Sequence, residues 1–234
     1  MKPHEPQIHF TGPRLTARRG ECAHMTSRDR PGPEGELNLG PSTEPRPAGT
    51  VILLRGGGDA LEVLLVRRNP SARFMGGAWV FPGGAVNRQE GHGDDAHRAA
   101  AIRELEEEAG ITITDPAELV PFSRWITPAQ VKIRFDAWFY LAPLPAGAQA
   151  QPDGREVVEA RWYAPGAALD ARHRGELFLV FPTIKHLEQL SSFASADELL
   201  AHARGRAIHP VQPRVFLQGE TARIVLPGEP GYDG

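Results

Sequence analysis

The sequence predicts an α/β fold in which a mixed β-sheet packs around a central helix. Apolar runs rich in β-branched and aromatic residues recur between residues 50 and 163, as expected of strands. One helical pattern interrupts these runs at residues 95–109. Further helical patterns follow within residues 165–203. Strands around one helix, and then more helices, are typical of an α/β domain.

The first elements are bounded by clear turn signals. Thr50–Leu54 and Leu61–Val66 are apolar runs separated by a glycine-rich turn, which predicts a hairpin. Trp79–Phe81 predicts a short strand that leads into a Pro-Gly-Gly turn. A helix is expected over Asp95–Ala109, with Gly110 ending it as the left-handed C′ residue.

The later elements follow from the same kinds of pattern. A Pro, Gly and Ala-rich stretch at 142–155 indicates a long loop. The remaining expected elements are strands at 119–123, 133–141 and 156–163, helices at 165–172, 183–190 and 196–203, and a closing hairpin formed by 214–217 and 222–226.

Composition limits both the domain organisation and the class of partner. Residues 1–48 are rich in Pro, Gly, Arg and Glu without periodicity, so we expect a disordered tail followed by one domain at 49–234. The segment from about residue 165 is expected to pack on that domain. The net charge of −3 shows no basic field for nucleic acid, so an anionic substrate would need locally placed arginines. The lone Cys22 excludes an internal disulfide.

Nothing in the sequence predicts a membrane location. No run approaches the roughly 18 apolar residues of a membrane span, and no apolar signal core is present near the N-terminus. The C-terminal Gly-Tyr-Asp-Gly does not match a Ser-Lys-Leu peroxisomal address. A cytoplasmic protein is therefore expected.

The predicted helix at 95–109 places three carboxylates on one side. At 100° per residue, Glu104, Glu107 and Glu108 share an arc of roughly 100°. Charged helix faces are usually only solvated, and three like charges at this spacing repel one another. A hard divalent cation bound through carboxylate oxygens would offset that repulsion. The pattern therefore leaves two interpretations, a solvated face and a metal site.

The order of residues around this helix resembles the Nudix box. The matching residues are Gly84, Glu90 and the run from Arg103 through Glu104, Glu107 and Glu108 to Gly110-Ile111. Twelve residues separate Glu90 from Arg103, where the family usually has seven. The first acid of the box is therefore either Glu90 or Asp95. The resemblance implies an α/β/α sandwich with a mixed sheet and a hydrolase of nucleoside diphosphates linked to another group.

Three further segments resemble one branch of that family. They are Arg68–Gly84, Trp125–Pro128 and Arg134–Asp136. These segments are similar to the branch that includes peroxisomal coenzyme A diphosphatases, in which extra sequence inside the box is common. The resemblance spans roughly residues 50–190.

Roles for individual residues follow from this resemblance and from elementary chemistry. Mg²⁺ or Mn²⁺ would be held by Glu104, Glu107 and Glu108, with a backbone carbonyl near Gly84 implied by the family. One glutamate of this group, or one from a later loop, would be the general base. Glu104 is the first choice, with Glu107 beside it, and Arg103 would orient the glutamates.

Arginines and aromatic residues are the candidates for binding the rest of the substrate. Arginine forks match phosphate oxygens, so Arg67, Arg68, Arg73 and Arg134 are candidates for a phosphate clamp, Arg134 foremost. Each could equally be a solvated charge. Trp125 and Phe135 would stack on adenine, line an acyl pocket or belong to the core. Glu156 and Glu159 alternate with valines, so one of them could reach the metal cleft.

The predicted function is metal-dependent hydrolysis of a phosphoanhydride in a small nucleotide derivative, with coenzyme A or acyl-coenzyme A as the first substrate. ADP-ribose, dinucleoside polyphosphates and NDP-sugars are the alternatives. A non-catalytic nucleotide-sensing module is the rival, but an acidic cluster without metal does nothing to bind an anion. A nucleic-acid-processing enzyme is disfavoured by the absence of a basic patch. The oligomeric state is left open, a homodimer included.

Overall fold

Helices cover both faces of a mixed β-sheet in the computed structural model, which describes residues 8–9, 38, 40–58, 60–218 and 221–232. The strands are β1 (Ile8–His9), β2 (Arg46–Arg55), β3 (Glu62–Arg68), β4 (Trp79–Val80), β5 (Gly83–Ala85), β6 (Val120–Ile126), β7 (Phe135–Pro143), β8 (Val157–Tyr163), β9 (Pro210–Val211), β10 (Arg214–Gln218) and β11 (Thr221–Val225). The α-helices are α1 (Asp94–Ala109), α2 (Pro165–His173), α3 (Phe181–Leu190) and α4 (Ala196–Ala203).

Strand β2 is central to the main sheet. It pairs in parallel with β7 along one edge, and along the other it pairs antiparallel with β3 and then with β5. The main sheet runs β4-β3-β2-β7-β6-β9, with β8 added to β3. A separate three-stranded sheet has the order β1-β11-β10. The predicted mixed sheet is therefore confirmed.

Alternation along β2 divides the interior into two layers. Val51 and Leu53 pack in the cluster that includes Leu105 of α1. Ile52 and Leu54 point to the other face, into the cluster formed with α2, α3 and α4. Because side chains alternate along a strand, one apolar run supplies both layers. The α/β/α sandwich predicted from the sequence is confirmed.

Helix α1 begins one residue before the predicted Asp95 and has the C-terminus that its sequence predicts. It spans Asp94–Ala109, and Gly110 has a φ of 66° with its N–H bonded to the Glu106 carbonyl. Ala101, Leu105 and Ala109 are buried against the sheet, as the predicted apolar arc requires. None of the described helices is long and apolar enough to cross a membrane.

The expected boundary of the N-terminal tail is wrong at its end. Residues 46–48 were expected in the disordered tail, but they form the start of β2. Ile8–His9 also pairs with β11. The rest of the predicted tail, including Cys22, falls largely outside the described residues, where its disorder stays a prediction.

Arg134 holds the segment before β2 against the turn before β7. Its side chain is 8% exposed, and its guanidinium donates to the Thr127 carbonyl, the Ser42 hydroxyl and the Thr43 carbonyl. The Arg134 carbonyl in turn accepts the backbone N–H of Arg46 at 2.9 Å. Arg134 is thus placed in a structural contact through its Nε and Nη1, and this geometry gives no support to the phosphate clamp expected of it.

His186 joins α3 to strand β6. Its Nδ1 lies 2.7 Å from the Pro182 carbonyl, so Nδ1 carries the proton and Nε2 accepts the Ser123 hydroxyl at 2.6 Å. The ring is surrounded by Phe81, Phe122, Trp125 and Phe139. Burial lowers the pKa of His186 to about 4, and the hydrogen bond to Pro182 opposes that shift only in part.

Removal of Arg134 should destabilise the fold. The Arg134→Ala variant loses the three hydrogen bonds of the guanidinium to Thr127, Ser42 and Thr43, each of which contributes about 0.5–1.5 kcal/mol. Denaturant unfolding should show a loss of that order. Arg204→Ala, an exposed arginine at the end of α4, is the control and should change stability by less than about 0.5 kcal/mol. Equal stability of the two variants would contradict the role given to Arg134.

His186 should make a contribution to stability that is lost below about pH 6.5, opposite in sign to the contribution of Glu108, whose pKa is raised. The pKa of His186 is lower in the folded protein than in the unfolded chain, so the unfolded chain binds the extra proton and stability falls as pH falls from about 6.5 to about 4. At pH 5 the loss is about 2 kcal/mol relative to pH 8. The change in unfolding free energy between pH 8 and pH 5 should therefore differ between the wild type and His186→Gln by about that amount, with the wild type the less stable at pH 5 relative to pH 8. Parallel pH dependence in the two proteins would rule out His186 as the cause.

Candidate active site

A cavity of about 510 Å³ opens beside β2, β5 and β7. One part of its wall is polar and includes the two carboxylates of α1 that face the sheet. The rest is largely apolar. The polar part comprises Arg46, Thr50, Arg68, Gly83, Gly84, Glu104, Glu108 and Glu156, and the apolar part includes Phe74, Met75, Trp125, Ile126, Val131, Ile133, Phe135, Phe139, Val180 and Phe181.

Glu104 reaches the cavity because Gly84 has no side chain. A Cβ on Gly84 would lie 2.2 Å from Glu104 Oε1, closer than real contacts allow. Burial raises the pKa of Glu104, and its hydrogen bond from Arg103 opposes the shift. A carboxylate with a raised pKa accepts a proton more readily, which suits the role predicted for Glu104.

Glu108 is the more deeply buried of the two acids, with 2% exposure. Its Oε2 accepts the Gly83 backbone N–H at 3.1 Å, and its Oε1 lies 3.6 Å from Arg68 Nη1. Burial raises the pKa of Glu108 to about 8, and the hydrogen bond from Gly83 opposes this shift. The carboxylate of Glu104 raises it further. A divalent cation at this position would offset both the free-energy cost of burying the Glu108 charge and its repulsion by Glu104.

Arg103 joins the acids of the box to one another. Its guanidinium bonds to Glu90 at 2.8 Å, to Glu104 at 2.7 Å and to Glu107 at 2.9 Å, and it donates to the Ala85 carbonyl at 3.0 Å. Although burial alone would lower the pKa of Arg103, its hydrogen bonds to Glu90 and Glu104 raise it. The orienting role predicted for Arg103 matches this geometry.

The same contacts distinguish the two candidates for the first acid of the box. Glu90 closes the short helical turn at 88–90 and pairs with Arg103, while Asp95 is exposed in the first turn of α1. The structure therefore places Glu90, and not Asp95, in the cluster around Arg103.

Glu107 does not occupy the position expected of a metal ligand. Its side chain is 59% exposed, it pairs with Arg103 on the outer side of α1, and it does not line the cavity. Across the described ranges, no group of three or more His, Cys, Asp or Glu side chains is arranged to hold a metal ion. Of the three predicted glutamates, the structure therefore brings Glu104 and Glu108 to the cavity wall, while a metal-binding role for Glu107 stays a prediction. Hard carboxylate oxygens beside backbone carbonyls still suit Mg²⁺ or Mn²⁺.

The predicted arginines separate into two groups. Arg68 lines the cavity and faces Glu108. Arg73 is exposed and does not line the cavity, and Arg134 is also absent from its wall. Arg67 is paired with Glu159 at 2.6 Å, which explains why that glutamate does not reach the acids. Only Arg68 of the predicted clamp is thus brought to the site.

The predicted aromatic residues and one later glutamate do line the cavity. Trp125 packs edge-on to Phe181, and Phe135 lies 6.1 Å from Phe74 between ring centroids. Glu156 lies at the polar part of the wall and acts on the pKa values of Glu104 and Glu108. The alternation of Glu156 with valines is the sequence signal that makes it a candidate for the metal cleft.

Among the cavity-wall residues that sequence reasoning missed are Arg46 and Met75. Arg46 stood in the segment expected to be disordered, and its only signal is its place just before an apolar run. Met75 is the one non-glycine residue with positive φ, at 55°, among the described residues. Such strain collects at ligand-binding sites, but no sequence pattern predicts it for a methionine.

Comparison with known proteins agrees with this geometry. A NUDIX domain family model matches residues 44–183. A Caenorhabditis elegans protein provisionally named nudix hydrolase 7 is 26% identical over 65% of this chain and 62% of its own length. The human acyl-coenzyme A diphosphatase NUDT19 is 30% identical over 47% of this chain. The match spans only 31% of the human protein.

A solved structure supports the same conclusion. The NUDIX hydrolase from Alicyclobacillus acidocaldarius superposes with a TM-score of 0.60 at 26% identity, covering 68% of this chain and 96% of that structure. The family match covers more than half of the chain and contains the glycine turn, α1 and most of the cavity wall. The chain therefore belongs to the Nudix hydrolase family.

Proposed function

We propose that this protein hydrolyses the phosphoanhydride of a nucleoside diphosphate derivative with the help of Mg²⁺ or Mn²⁺, and that coenzyme A or acyl-coenzyme A is the substrate. The observation that carries this proposal is the pairing of two carboxylates, the buried Glu108 and the half-buried Glu104, with a long apolar wall in one cavity. The carboxylates suit the diphosphate chemistry, and the apolar wall suits a pantetheine or acyl group.

Glu104 and Glu108, with a backbone carbonyl near Gly84, would hold the divalent cation, which neutralises phosphate charge and favours attack by water. Arg103 keeps Glu104 oriented through its 2.7 Å bond, and the Gly83 N–H fixes Glu108. Arg68, which faces Glu108, would exchange that contact for a phosphate oxygen when substrate binds.

The chain's own residues also supply a proton acceptor. As water attacks phosphorus, a P–O bond forms, the bridging P–O bond breaks, and the leaving phosphate keeps the bridging oxygen. The water proton passes to a carboxylate at the polar wall. Glu104 is the first choice because its carboxylate reaches the cavity past Gly84, and Glu156 is the second because it lines the same wall.

The names of relatives add support for the substrate class. The human and Xenopus laevis proteins are both named acyl-coenzyme A diphosphatase, at 30% and 29% identity. Each match covers about a third of the relative, 31% and 32%. ADP-ribose, dinucleoside polyphosphates and NDP-sugars contain the same phosphoanhydride, so they are the competing substrates.

Substitution of either buried acid should remove activity and leave the fold intact. Glu108→Gln and Glu104→Gln each delete a charge without deleting volume, so turnover should fall on the order of 10² or more. Steady-state rates at saturating Mg²⁺ and Mn²⁺ would measure this. Glu106→Gln, on the exposed side of the same helix, is the matched control and should retain wild-type rates. Near wild-type turnover in both buried-site variants would remove the basis for the proposed site.

A substrate panel tests the second half of the proposal. Purified protein with Mg²⁺ or Mn²⁺ should cleave coenzyme A or its acyl esters to adenosine 3′,5′-bisphosphate and the corresponding 4′-phosphopantetheine, identified by mass spectrometry. If ADP-ribose or a dinucleoside polyphosphate has a kcat/KM at least about tenfold higher, the coenzyme A assignment fails while the hydrolase assignment stands.

A further inference from the structure

Arg46 is the arginine of the cavity wall whose charge is not compensated. Its guanidinium carbon lies 5.8 Å from the centroid of the Phe135 ring, and no carboxylate among the described residues pairs with it. Arg68, on the same wall, faces Glu108, and Arg103 is shared among three glutamates. An arginine in this state is the one best able to bind an anion.

The position of Arg46 on β2 separates it from the acids. Arg46 and Thr50 point to the same face of β2, and both line the cavity. Gly49 is the register partner of Gly84, where Glu104 approaches, and it lies three residues after Arg46. At about 3.3 Å per residue, the backbone of Arg46 is on the order of 10 Å along β2 from Gly49, and so from the position at which Glu104 approaches. Phe135 is the direct β7 partner of Arg46, so the contact with its ring keeps the guanidinium at this end of the strand.

The surroundings of Arg46 suit a nucleotide and are held in place. Phe135 and Phe74 form a tilted pair at the cavity wall, a surface on which a base can pack. The backbone N–H of Arg46 bonds to the Arg134 carbonyl, and the Arg134 guanidinium fixes Ser42 and Thr43. The start of β2 is thus anchored before any ligand binds, which limits the ordering that binding would require.

We infer that Arg46 binds a phosphate monoester on the ribose of the substrate, distinct from the diphosphate that is cleaved beside Glu104 and Glu108. This inference rests on the function proposed above and narrows its substrate class. Nucleoside diphosphate derivatives that carry an additional ribose phosphate should be preferred over the same molecules without it. The arginine acts on ground-state binding, so its loss should raise KM more than it lowers kcat.

The test compares coenzyme A with dephospho-coenzyme A, which lacks only the ribose 3′-phosphate. Arg46→Ala should lower kcat/KM for coenzyme A at least tenfold more than for dephospho-coenzyme A, mainly through KM. Arg204→Ala, an exposed arginine that does not line the cavity, is the control and should leave both values unchanged. If Arg46→Ala lowers kcat/KM equally for both substrates, or for neither, the inference is overturned.

A binding measurement keeps this inference separate from the substrate proposal. Calorimetry of adenosine 3′,5′-bisphosphate and adenosine 5′-monophosphate requires no hydrolysis. The wild-type protein should bind the bisphosphate at least tenfold more tightly, and Arg46→Ala should lose that preference with an unchanged melting temperature. If coenzyme A is not cleaved but this preference is seen, the inference stands and the coenzyme A proposal falls. Equal affinity of wild type and Arg46→Ala for the bisphosphate overturns the inference.

Discussion

The close approach of helix α1 to the glycines of β2 and β5 determines the rest of the site. A Cβ at Gly49 would lie 2.0 Å from the His97 carbonyl, and one at Gly84 would lie 2.2 Å from Glu104 Oε1. Only glycine permits this packing, because any side chain would displace backbone or carboxylate. The consequence is that two acids of α1 reach past the sheet edge and line a cavity on its far side.

The buried Glu108 and the half-buried Glu104 carry negative charges that the surrounding residues neutralise only in part. Arg103 compensates Glu104 and Glu90, while Glu108 has one backbone donor and a distant Arg68. Both acids accordingly have raised pKa values, which measure the free energy that a cation or proton would recover. Residual instability of this kind is typical of sites whose charge is completed by a ligand.

The sequence was sufficient to predict what depends on local order. The glycine turn, the bounds of α1, the Gly110 terminus and the successive strands all follow from periodicity and turn chemistry, with tertiary contacts agreeing with local preference. Glu107 and Arg134 lie away from the cavity wall, for reasons that local order does not contain. Helical spacing predicts which side of the helix a residue lies on, but not how deeply that residue is buried. The sequence therefore could not show that Glu107 is exposed while Glu108 is buried. Arg134 in an apolar strand segment indicated a special role, but its partners Ser42 and Thr43 lie about ninety residues away in sequence.

Arg134 and Arg46 lie at one junction of the fold but in different surroundings. The two residues meet where the start of β2 joins β7, and one backbone hydrogen bond links them. At this junction the buried Arg134 donates hydrogen bonds to the protein. The exposed Arg46 pairs with no carboxylate among the described residues. A buried guanidinium needs its donors satisfied by the protein, so it is poorly suited to exchange them for a substrate phosphate. An arginine at the cavity wall whose backbone is fixed, but whose guanidinium pairs with no carboxylate among the described residues, can bind a phosphate at lower cost. In the inference drawn above, the cavity would therefore have an acidic part at Glu104 and Glu108 and a cationic part at Arg46.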